Sequence, residues 1–157
     1  VGPQLRRLLL VPALLLCVST AISLDQTRLL QAARTLGPAA VEGLTAWQGM
    51  FSSVSQSPER VRIETVNRFI NQRIRFVDDS QNWGQGDYWA TPLETLNKGA
   101  GDCEDFAIAK YFSLLALGVA PSKLRLTYVR ATIIRDGTPA YAAHMVLAYY
   151  PQTGREP

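Results

Sequence analysis

Histidine and cysteine are nearly missing from this sequence: 157 residues hold one of the first and two of the second. Two cysteines, Cys17 and Cys103, exclude a disulfide framework, and there is neither a CxxC pair nor a His/Cys cluster to bind zinc. With a single imidazole, any histidine-based proton transfer near neutral pH must run through His144. Charge of one sign is scarce too. The net charge is +3, and Arg6 and Arg7 account for most of it, so the rest of the chain gives little support to a nucleic-acid role. No apolar run approaches the ~20 residues needed to cross a bilayer. What the sequence does contain is ordinary for a packed protein, 47% apolar and 18% charged residues, in a length that suits one domain.

The first residues read as an address. Arg6-Arg7 is a short positive region, Leu8–Val18 is an apolar run of 11 residues, and Ser19-Thr20-Ala21 supplies small residues for a peptidase. This is the pattern of a secretory signal peptide over residues 1–21, with the domain in 22–157. An uncleaved amphipathic or membrane-anchoring helix is the competing interpretation. Leu16 is too large to precede a lipoprotein cysteine, so Cys17 leaves with the signal. Cleavage removes both arginines and no acid, which leaves the mature chain nearly neutral with one thiol, Cys103. A lone thiol exported to an oxidising compartment cannot be half of an internal disulfide.

Along the mature chain, helices come first and strands last. Apolar spacings of three and four predict two helices across residues 25–54, broken at Gly37-Pro38. Ser57-Pro58 predicts the start of a third, with Val61, Val66, Phe69, Ile70 and Ile74 on its apolar stripe. Residues 78–92 read as a long loop, and loops of that length in compact domains are usually functional. Trp83 and Trp89 in that loop either line a cleft or pack beneath it. A helical turn at 93–98 ends at Gly99-Ala100-Gly101. Asp102 then opens a helix that buries Phe106, Ala107, Ala109, the Lys110 stem, Phe112, Ser113 and Leu114. The period changes to two over 124–134 and 141–150, which predicts strands joined at Asp136-Gly137. The class is α+β, N-terminal helices packed on a C-terminal antiparallel sheet.

The sharpest local feature is Gly99-Ala-Gly-Asp-Cys103-Glu-Asp-Phe106. Glycines free the backbone before a helix, and the cysteine falls in its first turn, where unpaired N–H groups and the helix dipole favour a thiolate. Its own N–H can serve an oxyanion. A cysteine at a helix start with a histidine on a following strand is an arrangement used for acyl transfer. The alternative is a small core cysteine and a strand histidine bonded to a neighbour.

Asp102, Glu104 and Asp105 oppose the thiolate. One carboxylate ~6 Å away costs it ~0.7–3 kcal/mol across effective dielectrics of 80 to 20. A bound Ca²⁺, with further oxygen ligands from Asp78, Asp79, Asn82 or Asp87, removes the conflict. Otherwise Asp102 is a helix cap and the other two are first-turn acids that favour the dipole.

DYWATPLETLNKGAGDCEDFAIAKYFSLLALGV (87–119), AAHMVLAYYP (142–151) and VNRFINQRIRFVDDSQNWGQ (66–85) together resemble the bacterial transglutaminase-like cysteine proteinases of the LapG type. The resemblance covers most of the mature chain. It implies a papain/transglutaminase-like fold and a periplasmic, calcium-dependent endopeptidase. Such enzymes cut the N-terminal region of a large surface adhesin at an Ala-Ala bond and so release biofilm. An inner-membrane cyclic-di-GMP receptor of the LapD type holds them back. By this resemblance Cys103 matches the nucleophile and His144 the general base; Asp102 and Glu104 match acids tied to Ca²⁺, with Asp105 as a further candidate beside them.

One departure accompanies it. The family's triad ends in an aspartate on the strand after the histidine, whereas only 13 residues follow His144 and none is Asp. Glu156 is the one acid among them, and Asp136 precedes the histidine, in the turn. The expectation is a domain whose C-terminal part is missing. Rivals are a cell-wall peptidase or transglutaminase with the same Cys-His pair, and a non-catalytic module that occupies the receptor.

Overall fold

A computed structural model describes residues 26–152. The expected signal peptide and Glu156 lie outside that range. Among the described residues no helix is long and apolar enough to cross a membrane.

Residues 26–36 form helix α1. It breaks where expected: Gly37 has φ 124° and Pro38 opens α2, Pro38–Val54. Helix α2 buries Ala40, Gly43, Leu44, Trp47, Met50 and Val54, a run of threes and fours. Gly43 is glycine for a packing reason, since a Cβ there would lie 2.9 Å from the Leu96 Cβ. Helix α3, Glu59–Arg73, starts one residue later than Ser57-Pro58 suggests. Pro58 takes the cap position, its carbonyl accepts from the Arg62 N–H, and Ser57 instead closes α2 through a bond to the Val54 carbonyl. Val66, Ile70 and Ile74 are buried, while Val61 is exposed. Val61 lies about 140° around the helix from Val66, off the stripe.

Strand β1, Arg75–Phe76, pairs in parallel with β2, Ala100–Gly101. Two-residue strands carry no readable period, so neither was expected. The 78–92 segment is not wholly loop: Asp79–Asn82 forms the short helix α4. Helix α5, Pro92–Lys98, is closed at its start by a capping box between Thr91 and Glu94 and at its end by left-handed Gly99. Helix α6 runs Cys103–Ala116. A 3₁₀ turn, Pro121–Lys123, leads into the hairpin of β3, Leu124–Arg135, and β4, Thr138–Tyr149. Its register sets Leu124 opposite Tyr149 and Val129 opposite His144.

The core lies between α2, α3, α5, α6 and the base of the hairpin, where Leu124 is buried and Leu147 and Tyr149 pack against it. Trp47 reaches across to donate to Ser113 Oγ at 2.7 Å, and that hydroxyl donates to the Ala109 carbonyl at 2.6 Å. Both buried polar groups are thereby satisfied. At the hairpin base, Glu59 accepts from Lys123 Nζ at 2.7 Å and from the Tyr149 hydroxyl. The face expected on α6 needs one correction. Phe112 is 49% exposed, while Glu104, Asp105 and Ile108 are buried. The helix is wrapped on more than one side, so its burial does not follow a single stripe.

Candidate active site

Helix α6 places Cys103. The capping box and left-handed Gly99 stop α5, the β1–β2 pair turns the chain, and Gly101 permits a close approach. A Cβ on Gly101 would fall 2.5 Å from Asp105 Oδ2. Cys103 is thus the first residue of a helix of 14 residues.

Strand β4 places His144. The Tyr150 N–H bonds the Lys123 carbonyl at 2.8 Å. In an antiparallel ladder the bonding direction alternates, so His144 faces β3 with its backbone and Met145 turns its N–H to the free edge. Cys103 stands at that edge, and the Met145 N–H bonds its sulfur. Cys103 and His144 line one cleft of about 610 Å³. Its floor is the face of α6 that carries Cys103, Phe106, Ala107, Lys110 and Leu114. Its walls are α3, through Ile63, Val66, Asn67 and Asn71, and β4 from His144 to Leu147. Both residues singled out by their rarity therefore line the same cleft, each half-buried.

The thiol is not ionised by its surroundings alone. It donates to Glu104 Oε2 at 3.1 Å. Burial pushes its pKa up to about 11; the Met145 N–H pulls the other way, and the Glu104 hydrogen bond and the Glu104 and Asp102 charges add to the rise. The helix start is outweighed, as the flanking acids foretold.

Those acids form a cluster. Ligand oxygens of Asp79, Asp102 and Asp105 lie within 4.8 Å of one another, and so do those of Asp79, Asp87 and Glu104. Asp102 makes no cap bond to α6. Burial, a hydrogen bond shared with Glu104, and the charges of Glu104, Asp79 and Asp105 raise it to about 7. Burial also acts on Glu104, but hydrogen bonds from Cys103, its own backbone, Asp102 and Asp87 outweigh it and hold that carboxyl low. Asp105 is raised to about 6, chiefly by burial, against bonds from the Ala90 and Asp102 N–H groups. Asp79 accepts from the Tyr88 N–H.

Three buried oxygens have no hydrogen-bond partner: Asp79 Oδ1, Asp102 Oδ1 and Asp105 Oδ2. Orphaned carboxylate oxygens in an all-oxygen donor set fit a hard cation of the Ca²⁺ type. Asp79 and Asp87 join Asp102 and Glu104 from the loop. Asp78, which precedes α4, is in none of these carboxylate clusters, and the Asn82 amide N–H donates to the Ala100 carbonyl at 3.2 Å.

The loop tryptophans stay out of the cleft. Trp83 stacks on Tyr88 at 4.4 Å, with Lys98 Nζ 4.6 Å from its ring. Trp89 lies in a separate groove with Leu29, Leu36 and Phe112. Tyr88 donates to Glu94 at 2.8 Å. No described acid bonds or ion-pairs with His144. Asp136 sits in the hairpin turn, about eight residues or ~25 Å of strand away. The sequence reading missed the Met145 N–H, because a backbone donor leaves no trace in residue type.

Comparison with known proteins identifies relatives of this fold. A family model described as bacterial transglutaminase-like cysteine proteinase (BTLCP) matches residues 47–154. The solved structure of Legionella pneumophila LapG is 37% identical, with a TM-score of 0.66 over 83% of this chain and 68% of that one. Its EGTA-treated form is 36% identical, with a TM-score of 0.64 over 83% and 67%. Its calcium-bound form is 36% identical, with a TM-score of 0.63 over 80% and 66%. No curated protein matches the chain.

Proposed function

The chain belongs to the bacterial transglutaminase-like cysteine proteinases, and on that premise we propose that it is an exported, calcium-dependent cysteine endopeptidase of the periplasm. Its substrate is the N-terminal region of a large surface adhesin, cut at an Ala-Ala bond, and an inner-membrane cyclic-di-GMP receptor restrains it. The observation that carries the reading is the convergence of the one described thiol and the one imidazole on a single cleft.

The steps follow from the residues. His144 takes the thiol proton, and Cys103 Sγ attacks the peptide carbonyl. The Cys103 N–H at the head of α6 donates to the oxyanion. The amine leaves with the proton from His144, and water then hydrolyses the thioester. Asp102, Glu104, Asp79, Asp87 and Asp105 are the residues that would hold Ca²⁺. When bound, the cation would supply positive charge against the carboxylates that, together with burial, keep the thiol protonated.

The test is incubation of purified protein with an adhesin N-terminal fragment, with calcium and with chelator. Cleavage at one bond that disappears with chelator and in Cys103→Ser is expected. Cleavage that survives Cys103→Ser would overturn the assignment. Incubation with peptidoglycan separates a cell-wall peptidase. A non-catalytic module that occupies the receptor has one observation in its favour, the thiol at about 11. Iodoacetamide decides: fast calcium-dependent labelling of Cys103 supports the enzyme, and slow labelling under all conditions supports the module.

A further inference from the structure

The β3–β4 hairpin is far longer than the core requires. On one face its base is buried: Leu124 and Met145 are covered, and Leu147 and Tyr149 pack on the core. The register carries the same face outward, because directly opposed residues share a side: Tyr128 with Met145, Arg130 with Ala143, Thr132 with Tyr141. Past Met145 nothing described covers this face. Tyr128 is 64% exposed and Tyr141 67%. The overhang begins at the nucleophile, for Met145 is the residue whose N–H meets the sulfur. Tyr128 lies in the field of the same groups, Glu104, Asp87, Cys103 and Asp102.

One group there is built for an anion. The Arg130 Cζ lies over the Tyr141 ring, 4.4 Å from its centroid, and Arg130 makes no ion pair with a described acid. The cation–π contact holds the guanidinium at the ring and leaves N–H donors for a carboxylate. Ala143, opposite Arg130, is two residues along β4 from Met145, or ~6.8 Å. An extended peptide that crosses Cys103 and follows the overhang advances ~3.3 Å per residue, which brings its second or third residue from the scissile bond to Arg130.

We propose that the hairpin overhang is a specificity surface for the polypeptide substrate, on which the Arg130–Tyr141 pair selects an acidic residue two or three positions from the scissile bond and Tyr128 flanks the bond itself. The overhang leads away from Cys103 in one direction, so the selection acts on one side of the scissile bond. This rests on the reading of Cys103 as a nucleophile toward polypeptide, and it goes beyond that reading by naming what the peptide carries.

The test uses full-length Cys103→Ser, so that binding is read without turnover. The probes are extended peptides with Ala-Ala at the centre and either Glu or Gln at the second and third positions, placed before or after it. The Glu peptide of one placement should bind at least about fivefold more tightly than its Gln partner. Arg130→Gln should erase that preference, Arg130→Lys should retain part of it, and Tyr141→Ala should weaken it. Both sites are exposed, so the variants should keep the parent's melting temperature. Equal binding of Glu and Gln peptides, an unchanged preference in Arg130→Gln, or no binding of any peptide would overturn the proposal. Cleavage of an adhesin fragment by the parent would still stand on its own, so the two readings fail separately.

Discussion

The two ends of α6 are built on opposite principles. The C-terminal half buries Ala109, Ser113 and Leu114 against α2 and the rest of the core, with the one hydroxyl bonded at both ends. The N-terminal turn buries Glu104 and Asp105 instead, beside the half-buried Asp102 and the fully enclosed Asp79. Three oxygens there have no partner. Apolar burial stabilises the first half by about 25 cal/mol per Å². Burial of unpaired polar oxygens costs roughly 1–3 kcal/mol for each group. One helix thus joins a stable anchor to an unstable tip, and the instability is localised where chemistry is expected. The difference teaches that the tip is complete only with something added, and that the anchor tolerates the strain meanwhile.

The sharpest way to break the comparison is to alter each end alone. At the tip, Cys103→Ser should lower kcat by several powers of ten, since a triad loses that much with its nucleophile. It should leave the urea midpoint almost unmoved, because the change is nearly isosteric. At the anchor, Leu117→Ala, at a buried core position that does not line the cleft, should cost about 2–5 kcal/mol in urea unfolding, while folded protein keeps its activity. If Leu117→Ala abolished activity in protein shown to be folded, or Cys103→Ser unfolded the chain, the division between tip and anchor would be wrong.

The anchor was legible in the sequence because its signals are local. Threes and fours in α2, the Gly37-Pro38 break, the Thr91/Glu94 spacing and the alternation of β3 and β4 each report on one element. Cys103 and His144 were legible because each is nearly alone. The tip was legible only in part. The run Asp102-Cys103-Glu104-Asp105 announced a conflict, but its resolution depends on Asp79 and Asp87, which arrive from a loop whose path no periodicity records. Phe112 was misplaced for a related reason: a helix covered on two sides has no single stripe. The β1–β2 pair joins the segments that follow α3 and α5, and two residues carry no pattern of their own.

Calcium should separate the two ends by thermodynamics rather than kinetics. A cation that binds only the folded protein stabilises it by ~2.7 kcal/mol at a hundredfold excess over Kd. Thermal unfolding of Cys103→Ser with calcium and with chelator should show that gain as a higher melting temperature. Asp79→Asn, which alters a carboxylate that is 3% exposed and has an orphaned oxygen, should remove most of it. Leu117→Ala should lower both curves equally and leave the gap between them intact. An equal gap in Asp79→Asn would take the loop out of the cation site.

The smallest effect is the dependence on pH, and its sign is specific to the tip. Asp102 and Asp105 are raised to about 7 and about 6, both chiefly by burial. An unfolded aspartate titrates near 3.9. Between these values the folded chain holds protons that the unfolded chain has released. Stability therefore falls as pH rises through that window. Glu104, held low by its hydrogen bonds, works in the other direction but over lower pH. Metal-free protein should melt at a higher temperature at pH 5 than at pH 8, by a few degrees, which is the reverse of what ion-paired carboxylates give. Saturating calcium should flatten the slope, because a cation replaces the protons. A melting temperature that rises from pH 5 to pH 8 in chelator would mean that the carboxylates at the head of α6 are already paired, and the contrast with its apolar half would lose its basis.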